Sequence, residues 1–225
     1  MREQDLGPPV IAHLEAENGD VYQEVPGPGG GVADIVCVNG KLVAVVELKT
    51  GLGFDVLSQA LSWKPWAHWA WVAVPAERVG TSSRHLARTV CASYGIGVLE
   101  VRHDRVFEMT APAIQRRADV AKFRDRLRPE HKTFAPAGTN SGKAWTPFQE
   151  TCKSVRTFLA AQGGAAELSA VVKGVKHHYA SSSSARASLV QWAERGKIPG
   201  IEVFTPPRGK MQLRLTEGPT PGPIA

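Results

Sequence analysis

The segment from residue 32 to residue 49 constrains the fold more than any other part of the chain. Within it, two apolar, β-branched runs flank Asn39-Gly40. Asn-Gly between such runs is the strongest short-range signal for a two-residue type I′ hairpin. That loop places Asp34 opposite Val45. The pattern therefore predicts two antiparallel strands whose pairing is set by the turn.

The hairpin brings charged side chains onto an otherwise apolar surface. Directly opposite residues share a face and side chains alternate along each strand, so Asp34, Glu47 and Lys49 are expected to point the same way. In this register Glu47 lies diagonally across from Asp34, at a Cα separation of roughly 7–8 Å. Charges on strands are usually solvated. Here valines on both faces predict a sheet covered on both sides, where unpaired charge is rare.

Length and composition place the chain among globular proteins. Its 225 residues are 43% hydrophobic, which is enough for one large domain or two small ones. No apolar run approaches the ~18 residues that a membrane span needs, and the N-terminus lacks the pattern of a signal peptide. Cys37, Cys91 and Cys152 are scattered in apolar contexts and fit reduced thiols. We therefore expect a cytoplasmic protein with no membrane partner.

The net charge of +6 lies entirely in the second half of the chain. Residues 1–140 hold 16 Lys/Arg and 16 Asp/Glu, whereas residues 141–225 hold 11 and 5. A neutral half joined to a basic half favours a polyanionic partner for the second. The stretch 129–146 has the Pro, Gly, Ser and Thr content of a linker. We predict domains over 1–128 and 147–216, and a disordered tail over 217–225.

The elements before the linker alternate between helical and strand periodicity. Helices are predicted over residues 8–17, 54–63, 82–94 and 113–127, the second of them with Phe54 on its apolar side. Strands are predicted between these helices. This order favours an α/β sandwich around a mixed sheet.

The order αβββαβ, with Asp34 on the second strand and Glu47-Leu48-Lys49 on the third, resembles the PD-(D/E)xK nuclease superfamily. That superfamily includes restriction endonucleases and Holliday junction resolvases, and the resemblance covers roughly residues 8–110. It implies a restriction-endonuclease-like core in which Asp34, Glu47 and the Leu48 carbonyl bind Mg²⁺ or Mn²⁺, hard ions that prefer oxygen. Lys49 would position the attacking water or neutralise developing charge.

The match to this superfamily is incomplete, and three further positions are open. Ala33 stands where the superfamily has proline, which is not a metal ligand. Gln59 matches a glutamine often found on the helix after the lysine. Glu24 on the preceding strand, or Glu15 on the first helix, matches an extra acid that some members carry, and we prefer Glu24. Gln59, Glu24 and Glu15 each also fit a surface or capping role.

Residues 147–216 have the pattern of a winged helix-turn-helix domain. Three helices are predicted: one from Pro147 to the glycines at 163–164, one over 167–175 and one over 181–195. They are followed by a hairpin of strands 200–204 and 211–215 whose basic tip is residues 206–210. In such a fold the third helix enters the major groove and the wing contacts phosphates. The predicted contacts to DNA bases and phosphates are Ser182, Ser183, Ser184, Arg186, Lys173, Lys176, Arg208 and Lys210. A basic protein-interaction domain is the alternative.

Together these features predict a metal-dependent DNA endonuclease that hydrolyses phosphodiester bonds and is targeted by a basic winged-helix module. A structure-specific enzyme similar to Holliday junction resolvases is an alternative, as is a non-catalytic DNA-binding regulator on a nuclease scaffold. A purely structural module would show no salt-sensitive affinity for nucleic acid. Cutting both strands usually requires two active sites, which would be met by a homodimer.

Overall fold

A computed structural model of the chain describes residues 1–77, 82–139 and 144–216. The chain divides into two compact units, Met1–Trp145 and Thr146–Ala225. The predicted tail over 217–225 and part of the predicted linker, residues 140–143, lie outside the described residues.

The first unit has alternating helices and strands. Its elements are α1 (Glu3–Ala16), β1 (Asp20–Pro26), β2 (Val32–Asn39), β3 (Leu42–Leu48), α2 (Phe54–Trp63), β4 (Trp69–Pro75), α3 (Ser82–Ser93), β5 (Gly97–Arg102), β6 (Arg105–Thr110) and α4 (Val120–Arg124), followed by a 3₁₀ turn (Pro129–Lys132).

The six strands form one mixed sheet in the order β1-β2-β3-β4-β5-β6. The first three strands pair antiparallel, β3 pairs parallel with β4 and β4 with β5, and β6 returns antiparallel. The parallel pairs are joined by α2 and α3, because a parallel connection needs a crossover element. The predicted α/β sandwich around a mixed sheet is confirmed.

Helices cover both faces of the sheet, as the valines on both faces of the hairpin predict. On one face Leu6 and Val10 of α1 pack with Ile35, Val46 and Leu48. On the other face, α2 and α3 bury a second core against β4 and β5. A third core on that second face joins the hairpin to the end of α2 and to α4. The charged residues of β2 and β3 therefore lie in a sheet that is covered on both sides.

The hairpin register differs from the predicted one by two residues. Asn39 pairs with Leu42 and Val36 with Val45, so the two loop residues are Gly40 and Lys41. Gly40 has a φ of +57° and Lys41 is not in the left-handed region, whereas a type I′ turn needs a positive φ at both loop residues. Because the shift is an even number of residues, the paired side chains of the two strands keep their predicted faces.

Two predicted helices and one predicted apolar position need correction. The first helix begins at Glu3, five residues earlier than predicted, and continues through Pro8 and Pro9. The last predicted helix of the unit shrinks to α4, because residues 113–119 instead make isolated backbone bonds to neighbouring loops. Phe54 is 84% exposed, since the buried side of α2 is formed by Val56, Leu57, Ala60 and Trp63.

The first part of the predicted linker packs against β1. Gln23 Nε2 donates to the Lys132 carbonyl, and the Ala137 N–H donates to Gln23 Oε1. Ala135 and Ala137 are buried. Residues 129–139 therefore cover the outer edge of the sheet in the first unit, although their composition is that of a loop.

The second unit contains three helices and a small sheet. Its elements are α5 (Pro147–Ala161), β7 (Ala165–Glu167), α6 (Leu168–Gly174), α7 (Ser182–Glu194), β8 (Ile201–Phe204) and β9 (Gln212–Leu215). The three helices and the hairpin lie within a residue or two of their predicted positions. The short strand β7 was not predicted, and it completes a sheet of order β7-β9-β8.

Local sequence explains why the helices of this unit begin where they do. Thr146 caps α5 by accepting from the Gln149 N–H, while Gln149 Oε1 accepts from the Thr146 N–H, which is a capping box. Ser181 caps α7 in the same way through the Ser184 N–H. The apolar sides of the three helices pack together over β8 and β9.

No helix within the described residues is long and apolar enough to cross a lipid bilayer.

Candidate active site

Five charged side chains from four elements of the first unit meet where β2 and β3 diverge. We call this set the acid cluster. It consists of Glu3 on α1, Glu24 on β1, Asp34 on β2, Glu47 on β3, and Lys49 just after β3. The backbone pairing of β2 with β3 extends to Ile35 and Val46, so the next residues along, Asp34 and Glu47, lie at the point where the two strands separate.

Asp34 bridges this separation with its side chain. Asp34 Oδ2 accepts a hydrogen bond of 2.7 Å from the Leu48 N–H. A side-chain carboxylate thus takes the place of the backbone carbonyl that would continue the ladder. This bond also ties Asp34 to the peptide that follows Glu47, so that the acids of the two strands are held next to each other.

Glu47 is almost fully buried, with 3% of its surface exposed. Its Oε1 accepts a 2.6 Å hydrogen bond from the indole Nε1–H of Trp63, the last residue of α2. Burial raises the pKa of Glu47, and the charge of the neighbouring Asp34 carboxyl raises it further. The pairing of Ile35 with Val46 puts Asp34 and Glu47 on one face of the hairpin, as predicted, and a shared cation stays a prediction.

Lys49 lies one residue past the end of β3 and pairs with α1. Its Nζ is 3.2 Å from each carboxylate oxygen of Glu3. Its positive charge offsets part of the rise in the pKa values of Asp34, Glu47 and Glu24 that burial causes. Glu3 therefore holds the cluster's lysine on the side of α1.

Glu24 joins the cluster from β1 in an unusual backbone conformation. Its φ is +49°, a region that residues other than glycine rarely adopt and that is enriched at functional sites. Its Oε1 accepts a 3.0 Å hydrogen bond from the Thr139 N–H, and it is only 5% exposed. The packed segment 129–139 thus supplies a partner for a buried acid.

Burial and mutual repulsion make it costly for all the acids of the cluster to be ionised. Burial raises the pKa of Glu24 to about 7, with the charge of Asp34 adding to the effect. Burial also raises the pKa of Asp34, and burial together with the charge of Asp34 raises the pKa of Glu47. A group of acids with raised pKa values takes up either protons or a cation, and such groups occur frequently at functional sites.

The acid cluster contains a small number of oxygen atoms that could bind a divalent metal. In the described part of the chain, no group of three or more His, Cys, Asp or Glu side chains is arranged to hold a metal ion. Mg²⁺, however, is usually held by one or two carboxylates and retains several waters. Asp34 and Glu47 each keep one oxygen besides the one used by Leu48 or Trp63. These two oxygens, with a backbone carbonyl, fit that kind of site.

Two candidate residues lie away from the acids. Gln59 is exposed on α2, and among the described residues its side chain has no hydrogen bond to the acid cluster. Glu15 is exposed near the end of α1, whereas Glu3 at the start of that helix reaches Lys49. Of the two extra acids considered, the structure brings Glu24 to the cluster and leaves Glu15 outside.

Sequence reasoning missed Glu3 and Trp63. Glu3 lies five residues before the predicted start of α1 at Pro8. Trp63 belongs to the predicted helix 54–63, and the sequence predicts no role for it in the site. In the structure it lies in the core, 4% exposed, and donates its indole N–H to Glu47. Its spacing of seven residues from the buried Val56 was the one available signal that it faces the sheet.

All eight predicted nucleic-acid contacts in the second unit are exposed. Ser182, Ser183 and Ser184 form the first turn of α7, and Arg186 follows two residues after Ser184. Arg208 and Lys210 lie on the loop between β8 and β9. The Lys210 ammonium is 3.5 Å from Glu167, which is a solvent-exposed pair and leaves it accessible to a phosphate.

Comparisons with known proteins leave the family open. No family model matches the chain, and no curated protein matches it. One solved structure, described as SPO1766 protein of unknown function from Silicibacter pomeroyi, is similar with a TM-score of 0.42 and 19% sequence identity. The match covers 53% of this chain and 82% of that one.

Proposed function

We propose that the protein is a metal-dependent DNA endonuclease whose first unit carries the acid cluster and whose second unit binds DNA. The observation that carries this proposal is the placement of Asp34 beside Glu47 on one face of the hairpin. Asp34 is half-buried and Glu47 is buried, both have raised pKa values, and the ammonium of Lys49 lies nearby. Ionised acids buried without a compensating cation cost stability, so a bound cation would stabilise this cluster.

The residues of the cluster have distinct roles in this proposal. Asp34 and Glu47, with the Leu48 carbonyl, would hold Mg²⁺ or Mn²⁺, which when bound polarises a phosphate and lowers the pKa of a water. Lys49 supplies a positive charge that stabilises the negative charge developing on the phosphate. Glu3 positions Lys49 through their ion pair, and Glu24 adds negative charge that favours a cation.

The second unit supports DNA as the substrate. Its helices, its three-stranded sheet and its basic loop at residues 205–211 match what a winged-helix module requires. The third helix, α7, presents serines and Arg186, which suit contacts in a groove, whereas Arg208 and Lys210 suit phosphates. This unit would bring the acid cluster to DNA without itself reacting.

Incubation of the full chain with plasmid, single-stranded and branched DNA tests the proposal. We expect cleavage with Mg²⁺ or Mn²⁺ and none with EDTA. Asp34→Ala, Glu47→Ala and Lys49→Ala should each abolish cleavage while the fold survives. Lys41→Ala, which removes an exposed lysine of the hairpin turn, is the matched control and should cleave normally.

The substrate lanes also separate the alternatives. Cleavage confined to branched DNA would identify a structure-specific enzyme. Salt-sensitive binding without product in any lane would favour a DNA-binding regulator. Cleavage by Glu47→Ala at the wild-type rate would refute the assignment of the active site.

A further inference from the structure

We infer that Trp63 is a positioning residue for Glu47: its indole N–H engages one carboxylate oxygen and thereby directs the other oxygen toward the cation. This inference rests on the proposed function. It assigns a role to a residue outside the Asp34, Glu47 and Lys49 set, and it arises from a single buried contact between α2 and β3.

The contact is short and shielded from water. The Trp63 Nε1 to Glu47 Oε1 distance is 2.6 Å, and the two residues are 4% and 3% exposed. An indole N–H is a donor only, so it fixes which oxygen of the carboxylate is occupied. Hydrogen bonds to charged acceptors in such surroundings are stronger than neutral ones.

The indole is itself held in place from two directions. Its ring packs on Phe123, with centroids 5.6 Å apart. On another side it lies against the glycine-rich loop between β1 and β2. A Cβ added at Gly27 would lie 2.1 Å from Trp63 Cζ3, so only glycine allows the ring to occupy this place. The donor therefore cannot move without displacing Phe123 or the loop.

A carboxylate that is held in one orientation binds a metal ion more tightly than one that is free to turn. Groups that orient a ligand without touching the metal typically change metal affinity by about 10- to 100-fold when they are removed. Glu47 has a flexible side chain, and Asp34 repels it when both are ionised. A fixed donor on Oε1 prevents it from turning away from the shared cation.

Binding of Mn²⁺ alone to the full chain, followed by electron paramagnetic resonance, tests the inference. Trp63→Phe keeps an aromatic ring but removes the donor, and should weaken Mn²⁺ binding by about 10- to 100-fold. Gly27→Ala keeps the donor but displaces the ring, and should weaken binding in the same direction. Trp66→Phe is the matched control: it removes a neighbouring indole that packs near Gly29, and should bind Mn²⁺ as the wild type does.

The indole N–H signals of the metal-free protein supply a readout independent of metal. The signal assigned to Trp63 by its loss in Trp63→Phe should move in Glu47→Gln, while the Trp66 signal should stay in place. Wild-type Mn²⁺ affinity in Trp63→Phe, or an equal loss in Trp66→Phe, would overturn the inference.

These two measurements distinguish a failure of the proposed function from a failure of the role inferred for Trp63. A wild-type chain that binds no Mn²⁺, yet whose Trp63 signal moves in Glu47→Gln, has the hydrogen bond but no metal site, and both proposals then fall. A wild-type chain that binds Mn²⁺ and whose Trp63 signal does not move keeps the proposed function and refutes the role of Trp63.

Discussion

Replacing Glu47 by glutamine is expected to stabilise the protein at pH about 8 and to leave its stability nearly unchanged at pH about 5. Glutamine has the shape of a protonated glutamic acid, and its carbonyl oxygen can still accept from Trp63. The substitution therefore removes the ionisable group of Glu47 while retaining its hydrogen bond. The change in the stability difference between these two pH values measures the free-energy cost of ionising the Glu47 carboxyl group in the folded protein.

The magnitude follows from the pKa of Glu47, which burial and Asp34 raise from its ordinary 4.5 to about 8. A carboxyl with a higher pKa in the folded state stabilises the fold fully only below its unfolded pKa, and this stability is lost as pH rises toward the folded pKa. Each pH unit in that window costs about 1.4 kcal/mol. Between pH about 5 and about 8, the wild type should therefore lose about 4 kcal/mol that the variant keeps.

Thermal unfolding in metal-free buffer at several pH values measures this difference. About 4 kcal/mol corresponds to a rise in the melting temperature of about 10 °C for a chain of this size. Glu108→Gln, at an exposed position of β6, is the control and should show no such trend. A difference that does not vary with pH, or a destabilised Glu47→Gln at pH about 8, would refute the assignment of Glu47 as a buried acid that resists ionisation.

Three other results are expected. Mn²⁺ affinity should rise between pH about 6 and about 8, because the raised pKa values of Glu24, Asp34 and Glu47 make protons compete with the metal. Calorimetry in buffers of different ionisation enthalpy would show the proton release, and an affinity that does not vary with pH would contradict this prediction. The double variant Arg208→Ala/Lys210→Ala should weaken DNA binding and lower the slope of log affinity against log salt by about 1.8, measured by fluorescence anisotropy; an unchanged slope would exclude phosphate contacts by this loop. Arg84→Met should destabilise the protein by about 3–5 kcal/mol, since it removes the guanidinium that lies 3.1 Å from the buried Glu100 carboxylate. A decrease in the free energy of unfolding below about 1 kcal/mol, measured by chemical denaturation, would show that this ion pair is weak.

Local patterns were sufficient for much of the second unit. Its helices begin at capping residues, Thr146 and Ser181, that act through neighbours three residues away. Such short-range signals are readable from sequence because both partners lie within one turn. The strand β7 was missed, since three residues carry too little periodicity to stand out.

The hairpin shows which structural features a periodic sequence pattern can predict. Alternation predicted that Asp34 and Glu47 share a face, and an error of two residues in register left this unchanged. The register itself depends on the turn, and here Gly40 takes the first loop position in place of Asn39. A local turn signal thus indicated the hairpin but not its alignment.

The sequence by itself determined that Asp34 and Glu47 would share one face of the hairpin, because period-two alternation acts within a few residues. Only the tertiary structure decided which other groups complete the cluster. Glu3, Glu24, Trp63 and Thr139 come from distant parts of the chain, and their meeting depends on how α1, β1, α2 and the segment 129–139 pack around the sheet. No local pattern encodes such contacts, because packing free energy is summed over the whole core rather than over neighbouring residues.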